Sequence, residues 1–436
     1  MGLIKKHVEW FVAVAIVMIT TIGFFRSLMG TLDLRIINGC LKYLSFFLIF
    51  GLFLYQRHTY GIRIFDKFFF SFYIVYCIYI LVDITIFRLY PLERMLAVPQ
   101  SLYDFLFKFI LSILYLLCAK TIVSHFCVKK YLLLSLIVCT IPSIMFIHIV
   151  GIEIIQAGIS KEDDEYISTL SVTYSNMPVL VLAVMNYTKL FSKKIVSMIV
   201  CSFIIAAVVY ILSAYGKRGP ILWSFISIVS CFFIKSTSIK KLVLFWGIII
   251  AAFFIFMDPI LDIVKEELPK TGRKLELSLK EGNTSGRFDT DDPKHSTYLI
   301  GLENFSRSPI WGYYFRLVTD YKHYQGVYAH NVFIEILMTM GLLGFVPFML
   351  LLLKVYFKSR KYFSHSYLPN QLAFFALFVC AFLQLQTTGS CVFSNDFWLF
   401  LYILCCMDAI CAYSSVIRPT SSDIEESIEN RRNICF

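Results

Sequence analysis

The residues best suited to chemistry in this sequence are a few cations in turns between apolar runs and one histidine that closes the longest polar interval. Gly216-Lys217-Arg218-Gly219-Pro220 separates two apolar runs. Its glycines allow close backbone approach, Pro220 can start the next helix, and the Arg218 guanidinium is a planar fork that grips phosphate oxygens. Lys217 adds a point charge. Snorkelling of both cations to lipid phosphates is the competing reading; the anion clamp is preferred because this turn falls on the same face as the large polar interval. That interval, Asp258–Asn331, carries Arg273 and then Arg287, which follows the flexible Gly282-Asn283-Thr284-Ser285-Gly286. It ends in Tyr328-Ala329-His330-Asn331. An imidazole exchanges protons near neutral pH, whereas Asn331 at a helix start is a favoured cap, so catalytic and structural roles for the His–Asn pair both fit. Glu335 lies about one turn into the next apolar run, where an ionisable group is costly; it either orients a partner cation or reaches the interface. Asp289-Thr290-Asp291-Asp292 resembles a paired-aspartate metal site for nucleotide sugars. On an outward face, where no nucleotide sugar is found, it reads better as a solvated turn, and no metal is assigned.

The elements that must position these residues are membrane helices. A hydrophobic share of 58%, a mean hydropathy of +0.73 and 16% charged residues exclude an ordinary soluble domain, whose apolar share is about 45–50%. The composition predicts an all-α polytopic bundle of about a dozen transmembrane helices, because hydrocarbon offers the backbone no hydrogen-bond partners. Spans are predicted near Val8–Phe25, Asn38–Tyr55, Phe68–Phe87, Leu102–His125, Tyr131–Val150, Tyr174–Phe191, Ile195–Tyr215, Pro220–Ile234, Leu242–Met257, Asn331–Lys354, Gln371–Gln386 and Phe397–Tyr413. The chain thus divides into transmembrane helices over 1–257, one large outward loop with short helices over 258–330, further transmembrane helices over 331–413 and a cytoplasmic tail over 414–436.

Charge sets the orientation. Alternate loops carry Arg57, Arg63 and Lys67; Lys129 and Lys130; Lys193 and Lys194; Lys235, Lys240 and Lys241; and Lys354, Lys358, Arg360 and Lys361. These mark the cytoplasmic side, and the net charge of +11 reflects them and not a nucleic-acid partner. The opposite loops are poorer in cations, and one holds Glu162-Asp163-Asp164-Glu165. Asp83 and Asp408 sit near span ends and read as interfacial. The 13 cysteines lie mostly inside apolar runs and read as small core residues. Lys5 and Lys6 precede the first span, with no clear small-residue cleavage site after it. Within the large loop, Asp262–Glu281 alternates apolar and charged residues and suggests a surface-lying element. Thr297–Phe305 predicts a short helix with Leu299, Ile300, Leu302 and Phe305 as its apolar face.

Arg287 before a short helix, Ser308-Pro309-Ile310-Trp311-Gly312, Ala329-His330-Asn331-Val332-Phe333-Ile334-Glu335 and Met340-Gly341-Leu342-Leu343-Gly344 together resemble the signature of the O-antigen ligase and polymerase superfamily. The resemblance spans roughly residues 285–345, and the layout of apolar runs extends it. It implies a bacterial inner-membrane glycosyltransferase with its site facing the periplasm. Such an enzyme transfers a glycan from undecaprenyl pyrophosphate to a sugar hydroxyl without nucleotide sugar, metal or other cofactor. The superfamily's outward arginines correspond to Arg218 and Arg287, with Lys217 and Arg273 as weaker pyrophosphate contacts, and its loop-end histidine corresponds to His330; Asn331 and Glu335 support them. Guanidinium forks would stabilise the departing pyrophosphate, while His330 would act as base or phosphate contact. A polymerase of lipid-linked repeat units, working with membrane lipids and a chain-length regulator, is the first expectation. A ligase delivering O-antigen to lipid A core is the sibling alternative. A flippase is less favoured, because no internal repeat is visible and few charges lie at span centres.

Overall fold

The computed structural model describes residues 2–31, 35–82, 98–151, 169–215, 218–235, 297–312, 331–364, 369–386, 391 and 394–417, and the regular structure in them is helical. In chain order the helices are α1 (Gly2–Thr31), α2 (Arg35–Tyr60), α3 (Lys67–Val82), α4 (Val98–Leu117), α5 (Ala119–His125), α6 (Val128–Ser135), a π turn (Leu136–Thr140), α7 (Ile141–Val150), α8 (Thr169–Met185), α9 (Lys194–Ala214), α10 (Arg218–Lys235), α11 (Thr297–Arg307), α12 (Val332–Ser364), α13 (Pro369–Gln384) and α14 (Asn395–Ile417). Among the described residues, Val128–Ile149, Lys194–Ala214 and Val332–Lys361 are long and apolar enough to cross a bilayer. This is an all-α membrane protein with a few spanning-length helices among its described residues. Helices α3, α8 and α13 are described over 16, 17 and 16 residues, and each adjoins residues outside the described set. The predicted Leu242–Met257 span lies outside the described residues.

Helix α14 forms the centre. Every side chain from Phe397 to Met407 is buried, as befits a helix that is apolar all round. It packs against α4, α5, α12 and α13 and also touches α1. The Trp398 ring meets Phe69, Phe72, Tyr73 and Tyr76 of α3, with centroids 5.1–6.3 Å apart. Cys405 and Cys406 of this helix, like Cys77, Cys118, Cys139 and Cys201, are buried, in keeping with their reading as core residues.

Two predicted spans deviate from straight helices. Leu102–His125 is broken at Cys118, and the halves on either side are bent by 56°. A break frees backbone donors that hydrocarbon cannot satisfy, so neighbouring helices must. Gln56 of α2 meets this need, its Oε1 accepting from the Thr121 N–H at 2.8 Å and the Thr121 hydroxyl at 2.6 Å. The buried Lys120 ammonium donates to the Ile410 carbonyl at 2.8 Å and lies over the Tyr60 ring, tying the bend to α14 and α2. The second deviation is the π turn before α7. Pro142 has no N–H to give and its ring crowds the preceding turn, which a wider turn accommodates; the Ser143 hydroxyl donates to the Cys139 carbonyl at 2.7 Å.

Ion pairs join residues that the charge pattern assigns to one face. Asp66 accepts from the Phe69 N–H at the start of α3 at 3.0 Å, and its other oxygen meets Lys354 of α12. Lys358 pairs with Asp408 at 3.0 Å and donates to the Cys405 carbonyl at 2.6 Å. Lys130 pairs with Glu9. Lys354 and Lys358 therefore do not lie in a loop after the span, as expected, but on a helix that runs on to Ser364. Asp83 lies outside the described residues.

Candidate functional site

The junction between α11 and α12 is built on a break in α12. Gly341, with φ 61° and ψ −158°, interrupts the helix in a region that is essentially open only to glycine. The N–H groups beyond the break lose their partners and are recovered by the turn after α11. Leu342 donates to the Pro309 carbonyl at 2.9 Å and Leu343 to the Ile310 carbonyl at 3.2 Å. Gly312, also at positive φ, closes that turn by donating to the Ser308 carbonyl at 2.9 Å. A Cβ on Gly312 would come within 2.3 Å of the Thr339 carbonyl oxygen, and one on Gly341 within 2.4 Å of the Ile310 carbonyl oxygen. Ser308–Gly312 and Met340–Gly344, far apart in sequence, are thus two halves of one backbone clasp. Gly344 packs tightly against Met340 of its own helix.

The start of α12 is fixed by side chains. Asn331 Oδ1 accepts from the Phe333 N–H at 3.0 Å and the Ile334 N–H at 3.2 Å, which is an N-cap. Glu335 does not reach an interface. It is 1% exposed, and its carboxylate accepts from the Cys391 N–H at 3.2 Å. Cys391 is a hub between α13 and α14: its thiol meets the Tyr76 hydroxyl at 2.8 Å and its carbonyl accepts from Trp398 Nε1 at 2.7 Å. Through Glu335, the chain just after His330 is tied to α3 and α14.

Helix α11 packs on α12, and the Tyr298 hydroxyl donates to the Gln386 carbonyl at 3.2 Å just past α13. Thr297–Phe305 is helical as expected; of its expected apolar face Phe305 is half-buried and Leu302 exposed, while the side chains of Leu299 and Ile300 lie outside the description. Tyr298, Gly301 and Asn304 are buried, and Leu302 is 40% exposed. Near a bilayer an exposed leucine is not penalised.

Of the predicted site residues, Asn331 and Glu335 are described as above. Arg218 is the first residue of α10, which packs against α8, α12 and α13. Lys217, Arg273, Arg287, His330, the Asp262–Glu281 element and the Asp289–Asp292 turn lie outside the described residues. Cys391, Tyr76 and Asn304 escape sequence reasoning, since each reads as an ordinary core or helix residue until its neighbours across the bundle are known.

The described helices, several of them long and apolar enough to span a bilayer, with one broken at Gly341 and clasped by the turn after α11, define an all-α membrane protein. Residues 201–349 match the family model Wzy_C, described as O-Antigen ligase. The similarity to that family lies in this segment, which encloses the Lys217–Arg218 turn, Arg273, Arg287, the clasp and the His330–Glu335 junction. No curated protein matches the chain.

Proposed function

We propose that this protein is a metal-independent glycosyltransferase of the bacterial inner membrane, taking a glycan from undecaprenyl pyrophosphate at the periplasmic face. The observation that carries this reading is the family match over residues 201–349, which takes in every cation and the histidine singled out by residue chemistry. In the proposed reaction the acceptor hydroxyl oxygen attacks the anomeric carbon, the bond from that carbon to the pyrophosphate oxygen breaks, and the hydroxyl proton passes to His330. Undecaprenyl pyrophosphate leaves, its growing charge met by Arg218 and Arg287, with Lys217 and Arg273 further out. Asn331 and Glu335 set the position of the chain bearing His330.

The acceptor distinguishes two siblings. The description of the matched family favours the ligase, whose acceptor is lipid A core, over the polymerase, whose acceptor is another lipid-linked repeat unit. Deletion followed by gel analysis of the surface polysaccharide separates them. Lipid-linked polymer accumulating beside bare core identifies the ligase, and core bearing a single repeat unit identifies the polymerase. Normal polymer in the deletion strain would sink both.

A further inference from the structure

Asn304 is 2% exposed, and its Nδ2 has no hydrogen-bond partner among the described residues. Leaving such a donor buried and unmade costs about 1–3 kcal/mol and calls for an explanation. The other buried, unpartnered side-chain atoms among the described residues are the hydroxyls of Ser112, Ser135, Tyr215, Ser227 and Ser359. A hydroxyl proton can turn toward any nearby acceptor; an amide donor points where its helix aims it.

The helix is aimed firmly. Asn304 lies on the inward face of α11 with Tyr298 and Gly301, while Leu302 points out. One turn later the chain enters the Ser308–Gly312 clasp on α12, and at the other end Tyr298 is bonded beyond α13. A helix held at both ends fixes where that amide is aimed. We infer that Asn304 is a substrate-binding residue whose amide donates to a neutral oxygen, a hydroxyl or an acetamido carbonyl, of the glycan on the lipid-linked donor. This rests on the glycosyl-transfer reading and extends it, because a neutral amide matches sugar oxygens whereas the pyrophosphate is better met by guanidinium.

The test uses full-length protein in proteoliposomes with lipid-linked oligosaccharide extracted from the deletion strain. Asn304→Leu keeps the branched shape and heavy-atom count and removes the donor; Asn304→Ala guards against misfit of the bulkier side chain. The expected result for Asn304→Leu is an unchanged or higher thermal midpoint, as when an unsatisfied buried group is removed, with KM for the oligosaccharide raised about tenfold in both variants. Inhibition by glycan-free undecaprenyl pyrophosphate should be unchanged. Wild-type kinetics in both variants, or activity lost only in step with a lowered midpoint, would overturn the inference. Equal loss of inhibition by the glycan-free lipid would move the contact to phosphate and overturn the glycan assignment. Should the wild-type protein itself transfer nothing to either acceptor, the glycosyl-transfer reading fails first, and the Asn304 assignment falls with it.

Discussion

At Arg218 and Arg287 charge and shape can be separated by substitution. Arg218→Ala, Arg287→Ala and His330→Ala are each expected to abolish or sharply reduce product in a complemented deletion strain while the protein still inserts in the membrane. Arg218→Lys and Arg287→Lys should also impair it, because an ammonium keeps the charge and loses the two-pronged contact. Wild-type polymer from all of these would remove the residues from the site. Glu335 is the opposite case, since its carboxylate accepts from a backbone N–H. Glu335→Gln retains an acceptor and should leave most activity, whereas Glu335→Leu strands the Cys391 N–H at a cost of about 1–3 kcal/mol. Thermal midpoints in detergent, read beside product, check this order.

Among the elements, the clasp between the α11 turn and the break in α12 is the most demanding. Gly341→Ala forces a non-glycine residue into a glycine-only conformation, at a cost of about 1–3 kcal/mol before any clash. The clash with the Ile310 carbonyl adds to that. Gly312→Ala fails for the same two reasons. Both variants should insert poorly or melt early, whereas Gly61→Ala, with nothing within 4 Å of the new methyl, should carry only the conformational cost. Near-equal melting of the three variants would mean that the clasp adds nothing. This pairing is half legible in the sequence: Ser308–Gly312 and Met340–Gly344 stand out as motifs, but nothing in their spacing says that one docks on the other.

For the whole molecule, the Asp66–Lys354 pair tests how the bundle is closed on its basic face. Asp66 is 6% exposed, so Lys354→Met alone strands a buried carboxylate, an expected loss of about 3–5 kcal/mol. The double variant Asp66→Asn with Lys354→Met should recover much of that loss, because the asparagine can still cap α3. Orientation has its own check. In a background lacking reactive thiols, Asp164→Cys should react with an impermeant reagent in intact spheroplasts and Lys193→Cys only after permeabilisation. The reverse pattern would invert the topology and put the proposed chemistry on the wrong face.

By itself the sequence determined the membrane class and the helical content, and it set the expectations for the two faces and for the segment proposed to hold the site. These follow from composition, apolar run length and charge placement, which act through the bilayer as solvent and need no knowledge of neighbours. The Asn331 cap and the α11 helix were legible for the same local reason. Tertiary structure alone decided that Leu102–His125 is two helices, that Glu335 binds Cys391 inside the bundle, that Asn304 faces inward, and that two glycine motifs form one clasp. Each depends on which backbone donor or side chain another helix brings within about 3 Å, and hydropathy, blind to direction across the bundle, carries no record of that choice.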